Sequence, residues 1–427
     1  MTNSELDKNL HIGAPFSGKE KPGHIERIVQ YSGAYYGQAE IDAVNRVLEN
    51  GWLGAGPENR ALEQELSVYM GSKYAHTCNS GSSANLLALS SLDLPEGSKV
   101  VVPACSFPTT VNPIIQRGLI PLFVETDIET LNPNLEQLCE AMSNPGVSAV
   151  MIAHTLGNPN PMDIIMAEAK HNGVKVIEDN CDAVGSIYKD KPTGTFGSVS
   201  TVSFYPAHHA TALGGGGAVL TDSGYISKKI KMFRDWGRGC WCADSWEAPC
   251  TDRFGFKLLD GTEWDHRYFW QEIGYNLSMV DAQAAFARVQ IQRLPDFVVK
   301  RQQNFATLYA HFAANYQDLF VLPKVVEGAE PSWFGFPITI RDGVGLNRNK
   351  LQRDLEKYGV QTRTHFAGNV LSHPAYKGVK HEKIGDSFPN SDKIARDTLF
   401  FGVWPGIGKE DMDYMINVFD KILKESR

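Results

Sequence analysis

Between residues 74 and 221 short apolar runs alternate with helical patterns, and few folds accommodate that alternation. Strand-like runs lie at residues 100–103, 121–124, 149–153, 174–177, 198–205 and 218–221, with helical spacing at 131–142 and 164–171. Strand and helix taken in turn predict an α/β fold: a mixed, mostly parallel sheet with helices on both faces. Helices at 41–50 and 59–70 precede it, with Gly71 as a natural stop. Helical patterns at 226–236, 279–294 and near 301–315 follow. From about residue 320 a strand (335–340), an amphipathic helix (349–358) and a terminal helix (409–425) read as a smaller α+β domain. The organisation expected is an N-terminal arm (1–30), a large domain (31–300) with a cysteine-rich insertion at 237–270, and a small domain (301–427).

Open sheets of this kind place ligands beyond the carboxyl ends of their strands. The run at 174–177 ends there in Glu178-Asp179. The run at 198–205 leads into SFYPAHHATALGGGGAV (residues 203–219), which breaks at Pro206, presents two adjacent histidines and passes through four glycines. Glycine runs permit positive φ and close backbone approach to a ligand. At residues 79–83, NSGSS opens an apolar helix, where free backbone N–H groups and the helix dipole suit a phosphate. It is neither a P-loop nor a dinucleotide fingerprint, and plain helix capping explains it equally well.

The chain has 427 residues, 42% of them hydrophobic and 21% charged, as in an ordinary globular protein. A net charge of −8 gives no electrostatic case for nucleic acid or an anionic membrane. No apolar run approaches the roughly 18–20 residues of a membrane span. The N-terminus, MTNSELDKNLHIG, lacks the apolar core of a signal peptide, so a cytoplasmic location is expected. Of seven cysteines, Cys78, Cys105 and Cys139 read as buried thiols. Cys240, Cys242 and Cys250 are clustered, and Cys181 sits within EDNCDAVG. In a reducing compartment such a cluster suggests metal or redox chemistry before disulfides.

Five pieces now stand in order: NSGSSAN, VPACSFPTT, VIEDNCDAVG, SFYPAHH and IGYNLSMVDAQAA. Together they resemble the fold-type I, vitamin B6-dependent family of sugar aminotransferases, from about residue 30 to the C-terminus. The family's aminotransferases carry a cofactor-bonding lysine six residues into the SF motif; here that position is His208, and neither Ala207 nor His209 offers an amine. The resemblance therefore implies pyridoxamine phosphate held non-covalently, with His208 as a base of suitable pKa. It further implies that Asp179 pairs with the pyridine nitrogen, that Asp182 sits near the ring's phenolic oxygen, and that Phe107 stacks on the ring. Gly81, Ser82 and Ser203 match phosphate contacts. Asn276 matches an asparagine that reaches a cofactor phosphate across a homodimer interface.

The spacing of Cys181, Cys240, Cys242 and Cys250 is similar to that of the family's iron–sulfur subgroup of sugar 3-dehydrases, which implies a [2Fe–2S] cluster on four thiolates. A structural zinc site is the competing reading of the same cysteines. By the same resemblance the substrate is a CDP- or dTDP-linked 4-keto-6-deoxyhexose and the electron donor a flavin or iron–sulfur reductase. Tyr205, Trp333 and Phe334 are candidates for the substrate pocket, and Arg363 or His365 for the nucleotide or sugar. Two alternatives stand beside this: a cluster-independent dehydratase using pyridoxamine phosphate, and a non-catalytic, zinc-stabilised sugar-binding relative. The family's GEGG motif is replaced by Gly214-Gly215-Gly216-Gly217, apparently with one extra residue.

Overall fold

The computed structural model describes residues 11–12, 25, 27–240, 242 and 250–426. The large sheet is built from β1 (Tyr74–Cys78), β2 (Lys99–Pro103), β3 (Ile120–Val124), β4 (Val147–Ala153), β5 (Lys175–Asp179), β6 (Val199–Ser203) and β7 (Gly217–Thr221), with Glu382–Lys383 added at one edge. From that edge the order is Glu382–Lys383, β3, β2, β4, β5, β6, β7, β1. The pairs from Glu382–Lys383 to β6 are parallel; β7 is antiparallel to both β6 and β1.

The unbroken apolar runs follow from burial on both faces. Val100, Val102, Met151 and Ile177 pack against the helix Gly81–Ser90 on one side, while Val101, Val150, Ile152 and Val176 pack against Leu138 and Ile165 on the other. Parallel sheets covered on two faces need this pattern. Gly71 ends the helix Pro57–Met70 in the left-handed conformation, as its sequence position predicts.

Three differences from expectation have local causes. The helical patterns at 279–294 and 301–315 are one 35-residue helix, Asp281–Asn315, that continues through Pro295 and leads to a smaller, four-stranded sheet. Its buried side chains run from Asp281 to Phe312, so packing along the whole length offsets the hydrogen bond that proline removes. The expected helix at 131–142 begins only at Leu135, because Leu131 sits at φ 60° in the preceding turn. In the N-terminal arm, whose polar sequence suggests little core of its own, Val29 is buried: it bonds Gly359 and Gln361 through its backbone, while Arg27 pairs with Asp411 at 2.6 Å.

The small sheet runs Phe320–Val321, Gly335–Ile340, Thr398–Gly402, Thr362–Thr364, over a core that includes Phe312, Phe336, Phe401 and Phe419. No helix among the described residues is long and apolar enough to cross a membrane.

Candidate active site

Register aligns the carboxyl ends of the central strands. Ser203 of β6 opposes Gly217 of β7, which opposes Cys78 of β1, and Thr201 opposes Asp179 at the end of β5. Two residues beyond Cys78, Ser80 caps the next helix by accepting from the Ser83 amide at 3.1 Å, and Gly81 and Ser82 begin its first turn. First-turn amides have no intrahelical acceptor. A Cβ at Gly81 would lie 2.7 Å from Ser203 Cβ and 3.2 Å from Cys181 Sγ; one at Gly217 would lie 2.6 Å from the Ser80 carbonyl. Glycine at both positions thus closes helix start and strand ends into one cradle.

Asp179 is buried and fixed in orientation. Its Oδ2 accepts from Asn85 Nδ2 and Thr110 Oγ1, each at 2.8 Å, and the Cys181 amide donates to Oδ1 at 3.3 Å. Thr201 Oγ1 donates to Asn85 Oδ1 at 2.6 Å and fixes that amide. Sequence reasoning missed Asn85 and Thr110; the signal was a lone amide inside the apolar helix NLLALS. Neighbouring Glu178 is structural. Burial pushes its carboxyl up, but hydrogen bonds from His154 and the Gly197 and Gly194 amides hold it below the ordinary value.

The loop after β6 carries Tyr205, half exposed, and His208, whose ring lies 6.4 Å from Tyr205 and 5.2 Å from Phe334. His208 Nδ1 is 3.4 Å from Asp182 Oδ1. This contact is not an ion pair at neutral pH. Burial lowers the His208 pKa to about 4, with Asp179 opposing and Arg301 assisting, while burial and the Asp179 charge raise Asp182 to about 8. An uncharged imidazole thus meets a protonated carboxyl. Arg301, buried and also unseen in the sequence, donates to the carbonyls of His208 (3.0 Å) and Trp333 (3.0 Å) and so ties the loop to the segment that precedes the strand Gly335–Ile340.

The remaining candidates divide. Phe107 stays half exposed beside the strand ends, edge-on to Phe366 at 5.8 Å. Asn276 is exposed and pairs through its backbone with Asp235. Trp333 is a core residue instead of a pocket wall: it stacks on Phe305 with centroids 3.7 Å apart. His365 is likewise buried, its pKa lowered to about 3 by burial, so it offers no exposed contact to a nucleotide. Exposed Arg363 lies over the Tyr31 ring at 3.9 Å.

The cysteines do not gather as their spacing suggests. Cys240, Cys242 and Cys250 come together with His266, which sequence reasoning missed, the four donor atoms lying within 4.8 Å of one another. Cys181 is not part of that group. Its thiol lines the cradle beside Gly81, 3.9 Å from Thr201 Oγ1, and burial with the nearby Asp179 and Asp182 charges raises its pKa well above the usual value. Residues 241 and 243–249 of the insertion lie outside the described residues.

A fixed carboxylate, first-turn amides without intrahelical acceptors and a nearby imidazole have the chemistry to hold a phosphorylated pyridine. Comparison with known proteins agrees. Residues 35–420 match the model of the DegT/DnrJ/EryC1/StrS aminotransferase family. The chain is 41% identical over 403 residues to the lipopolysaccharide biosynthesis protein RfbH of Salmonella typhimurium, covering 92% of this chain and 91% of that one. It is also 41% identical over 385 residues to the dTDP-4-dehydro-2,6-dideoxy-D-glucose 3-dehydratase of Saccharopolyspora spinosa, covering 88% and 82%. Among solved structures, the GDP-4-keto-6-deoxy-D-mannose-3-dehydratase of E. coli with bound hydrated PLP superimposes with a TM-score of 0.82 at 28% identity, covering 92% of this chain and all of that one. The chain belongs to the DegT/DnrJ/EryC1/StrS aminotransferase family.

Proposed function

We propose that this chain removes the C3 hydroxyl of a nucleotide-linked 4-keto-6-deoxyhexose with pyridoxamine phosphate as cofactor. The observation that carries the reading is His208: an uncharged imidazole in the cradle loop, within a segment, residues 203–219, that contains no lysine. When bound, pyridoxamine phosphate supplies an amine for the C4 ketone and a ring that takes up electrons.

Asp179, oriented by Asn85 and Thr110, would hold the protonated pyridine nitrogen. Gly81, Ser82 and Ser203 would take the phosphate. Asp182, protonated near pH 7, would donate toward the phenolic oxygen. With His208 Nδ1 turned toward Asp182, Nε2 is the nitrogen left to take the proton from the cofactor's C4′. That proton balances the C3 hydroxyl, which departs as water. Half-exposed Phe107 would stack on the cofactor ring, and half-exposed Tyr205 would line the space for the sugar. Exposed Asn276 would reach the phosphate of a partner subunit in a homodimer.

The proposal includes reduction after dehydration. Cys240, Cys242 and Cys250 would hold a [2Fe–2S] cluster, whose chemistry is delivery of single electrons from a flavin reductase. A second reading, dehydration with glutamate as amine source and no cluster, is favoured by one observation: Cys181 stands apart from the other three cysteines. Anaerobic turnover separates the two. Dependence on a reductase and NADH supports reduction; full turnover with glutamate alone overturns that part.

A further inference from the structure

The group at Cys240 contains a residue that the cysteine pattern does not call for. His266 is 1% exposed, and its Nδ1 lies 3.1 Å from both Cys240 Sγ and Cys250 Sγ. Its Nε2 is buried with no hydrogen-bond partner, Asp265 Oδ1 being 4.0 Å away. The Cys242 amide faces Cys240 Sγ at 3.4 Å and the Cys250 amide faces Cys242 Sγ at 3.3 Å, so N–H dipoles point at two of the sulfurs.

The local fold delivers His266 to this place. The hairpin of Phe256–Lys257 and Glu263–Trp264 reverses the chain after Cys250. Asp265 then caps the short turn His266–Tyr268 and accepts from the Arg253 guanidinium at 2.8 Å, while the His266 amide donates to the Arg253 carbonyl at 2.8 Å. Residues 253 and 266 are thus clamped together, three residues from Cys250.

We propose that Cys240, Cys242, Cys250 and His266 are the four ligands of one metal centre, with His266 Nδ1 in the place that the cysteine spacing assigns to Cys181. Three sulfurs and an imidazole nitrogen are the donor set of a thiophilic ion such as zinc, or of iron with sulfide. A tetrahedral ion about 2.3 Å from sulfur and about 2.0 Å from nitrogen sets neighbouring ligand atoms about 3.5–3.8 Å apart. The observed set, with contacts of 3.1 Å and all four atoms within 4.8 Å, closes around such a centre with small shifts. The observed spacing closes around a single ion, whereas a [2Fe–2S] cluster, with its terminal ligands on two irons, requires the donors to move apart in pairs; for the identity of the metal the inference rests on the iron–sulfur part of the proposed function.

The test uses the full-length protein purified without oxygen, assayed for iron, zinc and sulfide and by visible spectrum, as wild type and as His266→Ala, His266→Cys and Cys181→Ser. The assignment expects His266→Ala to lower metal affinity by more than about a hundredfold, beyond the roughly 10–100-fold effect of an outer-shell change, and Cys181→Ser to keep metal and spectrum. His266→Cys restores four donors and so regains metal, which separates ligand loss from misfolding. With iron and sulfide present, it also lowers the reduction potential, since imidazole ligation raises it. Loss of metal from Cys181→Ser, retention by His266→Ala, or no metal in wild type after reconstitution overturns the assignment. Zinc without sulfide, lost on His266→Ala and kept on Cys181→Ser, supports the ligand set and overturns the iron–sulfur part of the proposed function.

Discussion

Replacing Asp179 by asparagine keeps the shape of the side chain and removes its charge. The amide oxygen can still accept from Asn85 Nδ2 and Thr110 Oγ1, both 2.8 Å from Oδ2. The amide nitrogen then faces the Cys181 N–H across 3.3 Å, so only one long hydrogen bond is lost from the fold. The Cys181 N–H is left without its acceptor, so folding stability should fall by about 1–3 kcal/mol and the protein should still fold. Cofactor binding is different, because asparagine cannot hold a protonated pyridine nitrogen through a charged pair. A hydrogen bond to a charged group contributes about 1.5–3 kcal/mol, which predicts a loss of roughly 10- to 150-fold in pyridoxamine phosphate affinity. Titration calorimetry with pyridoxamine phosphate, beside a thermal melt, measures both quantities. Affinity within about threefold of wild type would refute the role given to Asp179. A collapsed melting temperature would refute the claim that its hydrogen-bond partners tolerate the amide.

Other residues make equally direct predictions. Asp182 is protonated below about pH 8 and ionised above it, so kcat/KM should fall through about pH 8; Asp182→Asn, which keeps a donor, should flatten that limb. His208 is uncharged above about pH 4, so the acid limb should lie well below the 6.5 of free imidazole, and a limb at 6.5 would contradict its assignment as base. Gly217→Ala drives a Cβ to 2.6 Å from the Ser80 carbonyl and should cost about 1–3 kcal/mol in a denaturant titration. Gly215→Ala meets nothing closer than 3.5 Å and should stay within about 0.5 kcal/mol. Arg301→Met removes donors to the His208 and Trp333 carbonyls, about 2–4 kcal/mol of stability, and should lower kcat more than pyridoxamine phosphate affinity.

The sheet and its functional edge were legible because burial on two faces leaves continuous apolar runs, and because Asp179 and residues 203–219 follow such runs directly. The cradle's glycines were legible as a class but not individually. Which of the four is required depends on what a Cβ would strike: at Gly217 the Ser80–Gly81 turn more than a hundred residues away, at Gly216 the side chain of Met279. Arg301 was invisible because a basic residue amid polar neighbours reads as solvent-facing; only the long helix through Pro295 turns it inward. Trp333 looked like a pocket aromatic because composition cannot distinguish a stacking partner in the core from a ligand-facing ring. His266 escaped for a related reason: its approach to Cys250 is made by a hairpin whose two-residue strands leave no periodic trace.

The most direct test of the account is anaerobic turnover of protein loaded with pyridoxamine phosphate and mixed with a nucleotide-linked 4-keto-6-deoxyhexose, a flavin reductase and NADH, which supply the two electrons, followed by mass analysis of the released sugar. The account predicts a product that has lost its C3 hydroxyl and carries no amino group, absent when His208 is replaced by asparagine. A 4-amino sugar with its C3 hydroxyl intact would contradict it.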